Sequence, residues 1–358
     1  MKPRRRMAIV AGVTMILLLA AGAGVGKILL KMHPLNVIAG ATASGSSSKG
    51  GRATARGDSA RSGHAQSASL VHTNCSAPKA PATPLLGVAV LHPKTAGATV
   101  FKTETGIAPR IVELYAKFGA GFKAPFICSI TRLGALPLIQ INPRTTPLAG
   151  IVSGQDDAYL RRYAHSVSRF KLPVALSFGH EMNGNWYPWG YTHVRPRTFV
   201  AAWRHIYDVF RKAGTKNVIW VWTCARQGKP QNVSPARLWW PGNQYVTWVG
   251  INGKYGTPTS NFAYVFGKSI TLVRHYTPKP ILLSEMGILR GAQRPAQLRN
   301  LFAALSAHPK VLGMVWFNAK SVNGNWALQS DPASETTFRR AALHYLKTHR
   351  GGPVTASG

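Results

Sequence analysis

The sequence predicts an α/β fold: a (β/α)8 TIM barrel preceded by an N-terminal transmembrane or signal segment and a flexible linker. Three observations lead there. From about residue 84, short apolar runs alternate with amphipathic stretches, the pattern of parallel βα units. The alternation yields eight candidate strands between residues 84 and 348, the span of a single barrel. No Gly-rich phosphate loop follows the first strand, which argues against a doubly wound open sheet.

In order, the strands are read at Leu86–Leu91, near Leu114–Phe122 (the weakest pattern), Pro137–Ile141, Val174–Phe178, Val218–Trp222, Val246–Ile251, Ile281–Leu283 and Val311–Phe317. Helices between them carry a checkable period. Phe199, Trp203, Ile206 and Phe210 fall on one helical face, with Pro196 near its start and Gly214 past its end. Pro295 opens a stretch with Leu298, Leu301, Phe302 and Leu305, and Pro332 precedes one with Phe338, Ala342 and Tyr345.

Ahead of the barrel, Lys2, Arg4, Arg5 and Arg6 precede an apolar run from Met7 to Gly26. That run is long enough to cross a hydrocarbon core, and the charge before it places the body outside the cytoplasm. Residues 1–32 are therefore read as a signal peptide or an N-terminal membrane anchor, and the protein as exported, either anchored or secreted. Residues 33–82, rich in Ser, Gly and Ala, read as a linker, 83–350 as the barrel domain and 351–358 as a disordered tail.

The chain of 358 residues carries 44 Lys and Arg against 10 Asp and Glu, a net charge of +34. A nucleic-acid partner is not favoured, because no nucleic-acid motif accompanies the charge. Long-range attraction to anionic wall polymers or lipid headgroups fits it, as does an acidic habitat: a chain with few carboxylates loses little when they protonate. The chain is read as a monomer. Cys75, Cys128 and Cys224 form neither a disulfide framework nor a zinc pattern, and one bridge of unassigned pairing is open.

So few acids make their positions informative. Glu104, Glu113, Asp156, Asp157, Asp208, Asp331 and Glu335 are read in or beside helices as caps and surface charge. Glu181 and Glu285 instead end apolar strands. Period two puts Ala175, Ser177, Gly179 and Glu181 on one face, and Ile281, Leu283 and Glu285 on one face of another strand. Both carboxylates then reach the C-terminal mouth, where barrel enzymes keep their sites. Two facing carboxylates are the minimum machinery for glycosidic cleavage, one to protonate the leaving oxygen and one to attack or to activate water. An ion pair with one of the many cations is the plainer alternative for either Glu alone. Trp186, Tyr187 and Trp189 follow Glu181, and Trp316 closes the last strand; flat rings of this kind pack against sugar faces.

The run Phe178-Gly-His-Glu-Met-Asn-Gly-Asn-Trp-Tyr-Pro-Trp189 resembles the acid/base segment of glycoside hydrolase family 26, the family of many β-mannanases. Leu283-Ser-Glu-Met-Gly287 resembles its nucleophile strand and Val315-Trp-Phe-Asn318 its last strand. The resemblance implies Glu181 as acid/base, Glu285 as nucleophile, His180 as a positioning residue, Trp186, Trp189 and Trp316 near the sugar, retention through a covalent intermediate, and no cofactor or metal. One segment departs from the family pattern. Where Gly-Ile-Asp-Gly-Tyr is usual, this chain has Gly250-Ile-Asn-Gly-Lys-Tyr255. Asn252 replaces the Asp that helps select the sugar. Lys254 replaces the Tyr that bonds the nucleophile, unless Tyr255 serves from one position on, which a reversed side-chain direction disfavours. Lys254 beside Glu285 would hold that carboxylate ionised, which suits low pH or an anionic substrate. Three readings are open: an endo-acting β-mannanase or a β-glucanase or β-xylanase relative, a non-catalytic surface protein that binds glycan on the same barrel, and, from charge alone, a nucleic-acid binder.

Overall fold

The structure is a computed structural model that describes residues 75, 81–91, 96–228 and 232–354. The charged and apolar N-terminal segment, nearly all of the linker and the last four residues of the tail lie outside the described residues. Among the described residues, no helix is long and apolar enough to cross a membrane.

Eight parallel strands close into a barrel in sequence order. They are β1 (Leu85–Val90), β2 (Ile111–Lys117), β3 (Leu136–Asn142), β4 (Val174–Phe178), β5 (Val218–Ala225), β6 (Trp248–Tyr255), β7 (Ile281–Ile288) and β8 (Val311–Phe317). The helices are α1 (Ala96–Thr105), α2 (Ala124–Thr131), α3 (Leu148–Val152), α4 (Asp157–Phe170), α5 (Pro196–Lys212), α6 (Lys268–Arg274), α7 (Arg294–Ala307) and α8 (Pro332–Thr348). The seam closes where β1 pairs with β8, Leu85 opposite Gly313. A side chain at Gly313 would lie 2.1 Å from the Leu85 carbonyl oxygen, and its φ of +138° suits glycine alone.

Period two sorts each strand into two cores. Leu85, Ile111, Leu138, Ala175, Val221 and Leu282 fill the barrel interior. Their neighbours, such as Leu86, Val112, Ile139, Leu176, Trp222 and Leu283, meet the helices. The face of α5 that buries Phe199, Trp203, Ile206 and Phe210 matches its sequence period. Outside the barrel, Cys75 and Cys128 form a disulfide that ties the segment before β1 to α2, and Cys224 is free and buried against the helix layer.

Two elements differ from the sequence reading in ways that matter for the site. The weak second strand is Ile111–Lys117, not Leu114–Phe122. Glu113 is therefore no helix cap or surface charge: it is fully buried inside the barrel, where its Oε1 accepts from Gln140 Nε2 at 2.7 Å. In β7, Ile281 and Leu283 face the helices, while Leu282 faces the interior. Glu285 does not share their face. An extra residue in β7 shifts the register, with Gly250 opposite Leu282 and Asn252 opposite Glu285. This bulge turns Ser284 and Glu285 toward the interior together. Three of the remaining acids act as caps or surface charge, as read, whereas Asp156 precedes α4 without a side-chain cap bond and Glu104 accepts from Asn318 Nδ2 at 3.4 Å. Asp331 caps α8 by accepting from the Ala333 N–H at 3.2 Å, Asp157 pairs with Arg161 and His205, and Asp208 pairs with Arg211.

Candidate active site

The mouth is assembled from the C-terminal ends of β2 to β8. After Phe178 the chain leaves the strand conformation: Gly179 has φ +56° and Glu181 has φ +54°. A left-handed glutamate is unfavourable by itself and persists only when its surroundings fix it. Here the Glu181 N–H donates to the Thr223 carbonyl at 2.8 Å, and the Trp189 indole donates to the His180 carbonyl at 2.8 Å. The two bonds hold the turn from both sides and aim Glu181 over the barrel.

Each oxygen of Glu181 has a donor. Trp186 Nε1 reaches Oε2 at 2.6 Å and Asn252 Nδ2 reaches Oε1 at 3.0 Å. Asn252 is itself oriented by Ser284, whose hydroxyl donates to Oδ1 at 2.8 Å. Glu285 is held differently. Lys254 Nζ donates to its Oε1 in a partly buried ion pair, and the Tyr115 hydroxyl donates to its Oε2. The Lys254 ammonium also lies 4.1 Å from the centre of the Phe317 ring and 5.7 Å from that of Trp326.

These surroundings drive the two carboxyls apart. Burial, reinforced by the charge of Glu285, raises the pKa of Glu181. Burial would raise Glu285 too, but the Lys254 charge and hydrogen bond and the Tyr115 hydrogen bond outweigh it, so its pKa is lowered. Burial would lower the pKa of Lys254, but the nearby carboxylates, Glu285 first, outweigh burial and raise it. His180 is buried and stays neutral, its pKa lowered to about 4 mainly by burial. Its Nδ1–H donates to Asn142 Oδ1 at 2.9 Å, and its Nε2 accepts from the Tyr187 hydroxyl at 3.2 Å. Glu113, below Tyr115 on β2, is pushed well above the usual range by burial and then by Glu285, which leaves it a neutral acid. The mouth thus holds one carboxyl poised to keep a proton next to one poised to stay ionised, an arrangement suited to paired acid and nucleophile work.

The sequence matches Glycosyl hydrolase family 26 over residues 157–320. It is 28% identical over 232 residues to Endoglucanase H of Acetivibrio thermocellus, which covers 61% of this chain. The chain spans about a quarter of that relative's length (25%). Among solved structures, a family 26 β-mannanase from Bacteroides ovatus superimposes with a TM-score of 0.54 at 16% identity, covering 74% of this chain and 89% of that one. A double mutant of the Cellulomonas fimi endo-β-1,4-mannanase gives 0.56 at 17% identity, covering 73% and 70%. The segment that carries Glu181 and Glu285 is thus similar to glycosyl hydrolase family 26.

On this barrel, Glu181, Glu285, His180, Trp186, Asn252 and Lys254 gather at the mouth. Three other residues singled out in the sequence do not. Trp316 faces the helices, where it packs edge-on against Phe338 and donates to the Trp326 carbonyl at 3.1 Å; alternation gives the mouth to Phe317 instead. Trp189 is fully buried beneath the turn, stacked on Tyr187 at 4.5 Å between ring centres. Tyr255 is buried against Phe266 and reaches Asn300 at 3.4 Å, because the residue after an inward Lys254 points outward. The tyrosine on Glu285 comes from β2. Tyr115, Asn142 and Trp326 escaped the sequence reading. Tyr115 was findable in principle, since it lies two residues from Glu113 in a stretch that alternates once the strand is placed correctly. Among the described residues, no cluster of three or more His, Cys, Asp or Glu is grouped as a metal site.

Proposed function

We propose that this barrel is a retaining, endo-acting glycoside hydrolase of β-linked polysaccharide, with a β-1,4-mannan backbone favoured over β-glucan or β-xylan. The observation that carries the reading is the opposite fate of the two carboxyls in one mouth, Glu181 raised and Glu285 lowered. In the first step the protonated Glu181 gives its proton to the glycosidic oxygen. A Glu285 oxygen attacks the anomeric carbon, and the bond to the leaving sugar breaks. In the second step Glu181, now ionised, takes a proton from water. The water oxygen attacks the same carbon, and the ester bond to Glu285 breaks, restoring both groups and the original configuration. Asn252 and Trp186 steady Glu181; Tyr115 and Lys254 steady Glu285. His180, neutral and fixed by Asn142, orients the floor between them.

The mannan backbone is supported by the fold neighbours named as mannanases. The relative named Endoglucanase H keeps a glucan backbone in view. The ion pair of Lys254 with Glu285 favours a second reading, in which the same mouth binds glycan without cleaving it. The reading also includes export of the barrel, anchored or secreted, with its basic charge facing anionic wall polymers or lipid. The positive segment before the apolar run supports it, as does the Cys75–Cys128 bridge, a bond that persists outside reducing compartments.

The deciding experiment is reducing-sugar release by the full chain from mannan, glucomannan, mixed-linkage β-glucan and β-xylan, from acid to neutral pH, beside Glu181→Gln and Glu285→Gln. Release from one polymer, lost in both variants, carries the hydrolase. Binding without release in the wild type carries the second reading.

A further inference from the structure

Beyond Glu181 and Glu285, the charged residues at the C-terminal ends of the strands are all cations, while one further acid, Glu104 of α1, approaches the end of β8 by accepting from Asn318 Nδ2 at 3.4 Å. Six of the eight strands bear a cation at or within three residues of their C-terminal ends: Lys117, Arg144, Arg226, Lys254, Arg290 and Lys320 on β2, β3, β5, β6, β7 and β8. The only carboxylates so placed are Glu181 and Glu285. With a net charge of +34 some cations at any rim are expected by number, so position must decide. Lys254 is committed to Glu285. Arg226 lies over the Tyr264 ring at 5.3 Å. Arg144 is different. It comes two positions after Asn142, the residue that fixes His180, and its backbone N–H turns back to the Asn142 carbonyl at 2.9 Å. Its side chain is half-buried and pairs with no carboxylate among the described residues. Its charge reaches both His180 and Tyr187, disfavouring a proton on the one and favouring ionisation of the other.

The net charge of the catalytic centre leaves room for an anion. The Glu181 pKa is raised, and Lys254 pairs with Glu285, so the guanidinium of Arg144, whose charge acts on His180 and Tyr187, is left without a carboxylate partner among the described residues. A neutral sugar would draw little from it, whereas a carboxylate fits the planar fork of an arginine through two parallel hydrogen bonds. The ring of cations would add long-range attraction for a polyanion. We infer that the mouth takes a β-linked glycan bearing carboxylates, a polyuronate or uronate-containing chain, and that Arg144 engages a sugar carboxylate beside His180 and Tyr187. Cleavage of that glycan rests on the hydrolase reading; its binding does not.

Polymannuronate and its carboxyl-reduced product, which is β-1,4-mannan, share a backbone and differ only in charge. Affinity electrophoresis of the full-length protein in gels containing one or the other, and in gels containing sulfated mannan, measures the ligand class in the Glu181→Gln background, which removes the proton donor and leaves Lys254 paired with Glu285. The expected result is retardation about tenfold or more stronger by polymannuronate than by the reduced polymer. That ratio collapses in Arg144→Gln, is partly kept in Arg144→Lys, which retains charge without the fork, and is unchanged in Lys347→Gln, an exposed lysine in the last turn of α8. Equal retardation by the two mannan-backbone polymers overturns the inference. So does retardation by sulfated mannan as strong as by polymannuronate, which would mark an unselective polyanion surface. A ratio lost equally in Lys347→Gln overturns the role of Arg144. Hydrolysis of both polymers by the wild-type chain is scored separately. Selective binding without cleavage would sink the hydrolase and leave the ligand class standing.

Discussion

Asn252 donates to Glu181 across the mouth at 3.0 Å while its own backbone stands opposite Glu285 on the neighbouring strand. One neutral side chain thus touches the group that keeps a proton and lies beside the group that loses one. Replacing it by the acid usual in the family, Asn252→Asp, removes a donor from Glu181 and adds a like charge. The pKa of Glu181 should rise further. Because Glu181 works in its protonated form, the basic limb of the kcat/KM profile should move to higher pH. A basic limb that stays in place or moves down would show that Asn252 does not act on Glu181 in this way.

Lys254→Met tests the ion pair. The Lys254 charge lowers both Glu285 and Glu181, so its loss should raise both. Glu285 works ionised, and a higher pKa moves the acidic limb up; Glu181 moves the basic limb up with it. The whole bell should shift toward alkali, with activity at acid pH lost first. A pH–rate profile that only falls in height, without moving, contradicts the assignment of Lys254.

Trp186→Phe and Tyr115→Phe should separate the limbs. Each removes one hydrogen bond from one carboxylate, worth about 1 kcal/mol, or somewhat less than one pH unit. The first should move only the basic limb and the second only the acidic limb, both upward. If the two variants moved the same limb, Glu181 and Glu285 would not hold distinct roles.

Glu113→Gln addresses the acid beneath the site. Burial raises the folded-state pKa of Glu113 well above its unfolded value, so the stability it contributes is fully present below the unfolded pKa, about 4.3, and is lost as pH rises through the folded value. The amide keeps the shape without that loss. The variant's Tm should match the wild type in acid and exceed it by a growing margin toward neutral and alkaline pH. A margin independent of pH would mean that Glu113 is not the neutral group described.

Where period two and burial agree, the sequence showed the structure closely: β4 and β8 end where their apolar runs end, and Glu181 lies just past β4. Where they conflict, it did not. The inward face of β2 carries Glu113 and Tyr115, so no apolar run marks the strand, and the strand was placed too late. The β7 bulge cannot be seen in Ile281-Leu-Leu-Ser-Glu285, because alternation there predicts a face that the register shift undoes. Trp316 drew attention as an aromatic at a strand end, yet its position in the alternation already assigned the mouth to Phe317.

The Cys75–Cys128 bridge joins two points 53 residues apart in sequence. Tension applied through the chain ahead of Cys75, as a tether to any surface would apply it, is delivered through the sulfurs to α2 rather than along the backbone into β1. The closure of β1 against β8 at Leu85 and Gly313, where peeling of the barrel would otherwise begin, is thereby taken out of the line of pull. With the bridge reduced, the same load would fall first on residues 81–84, held by residues 351–354 and Arg110, and then on that seam.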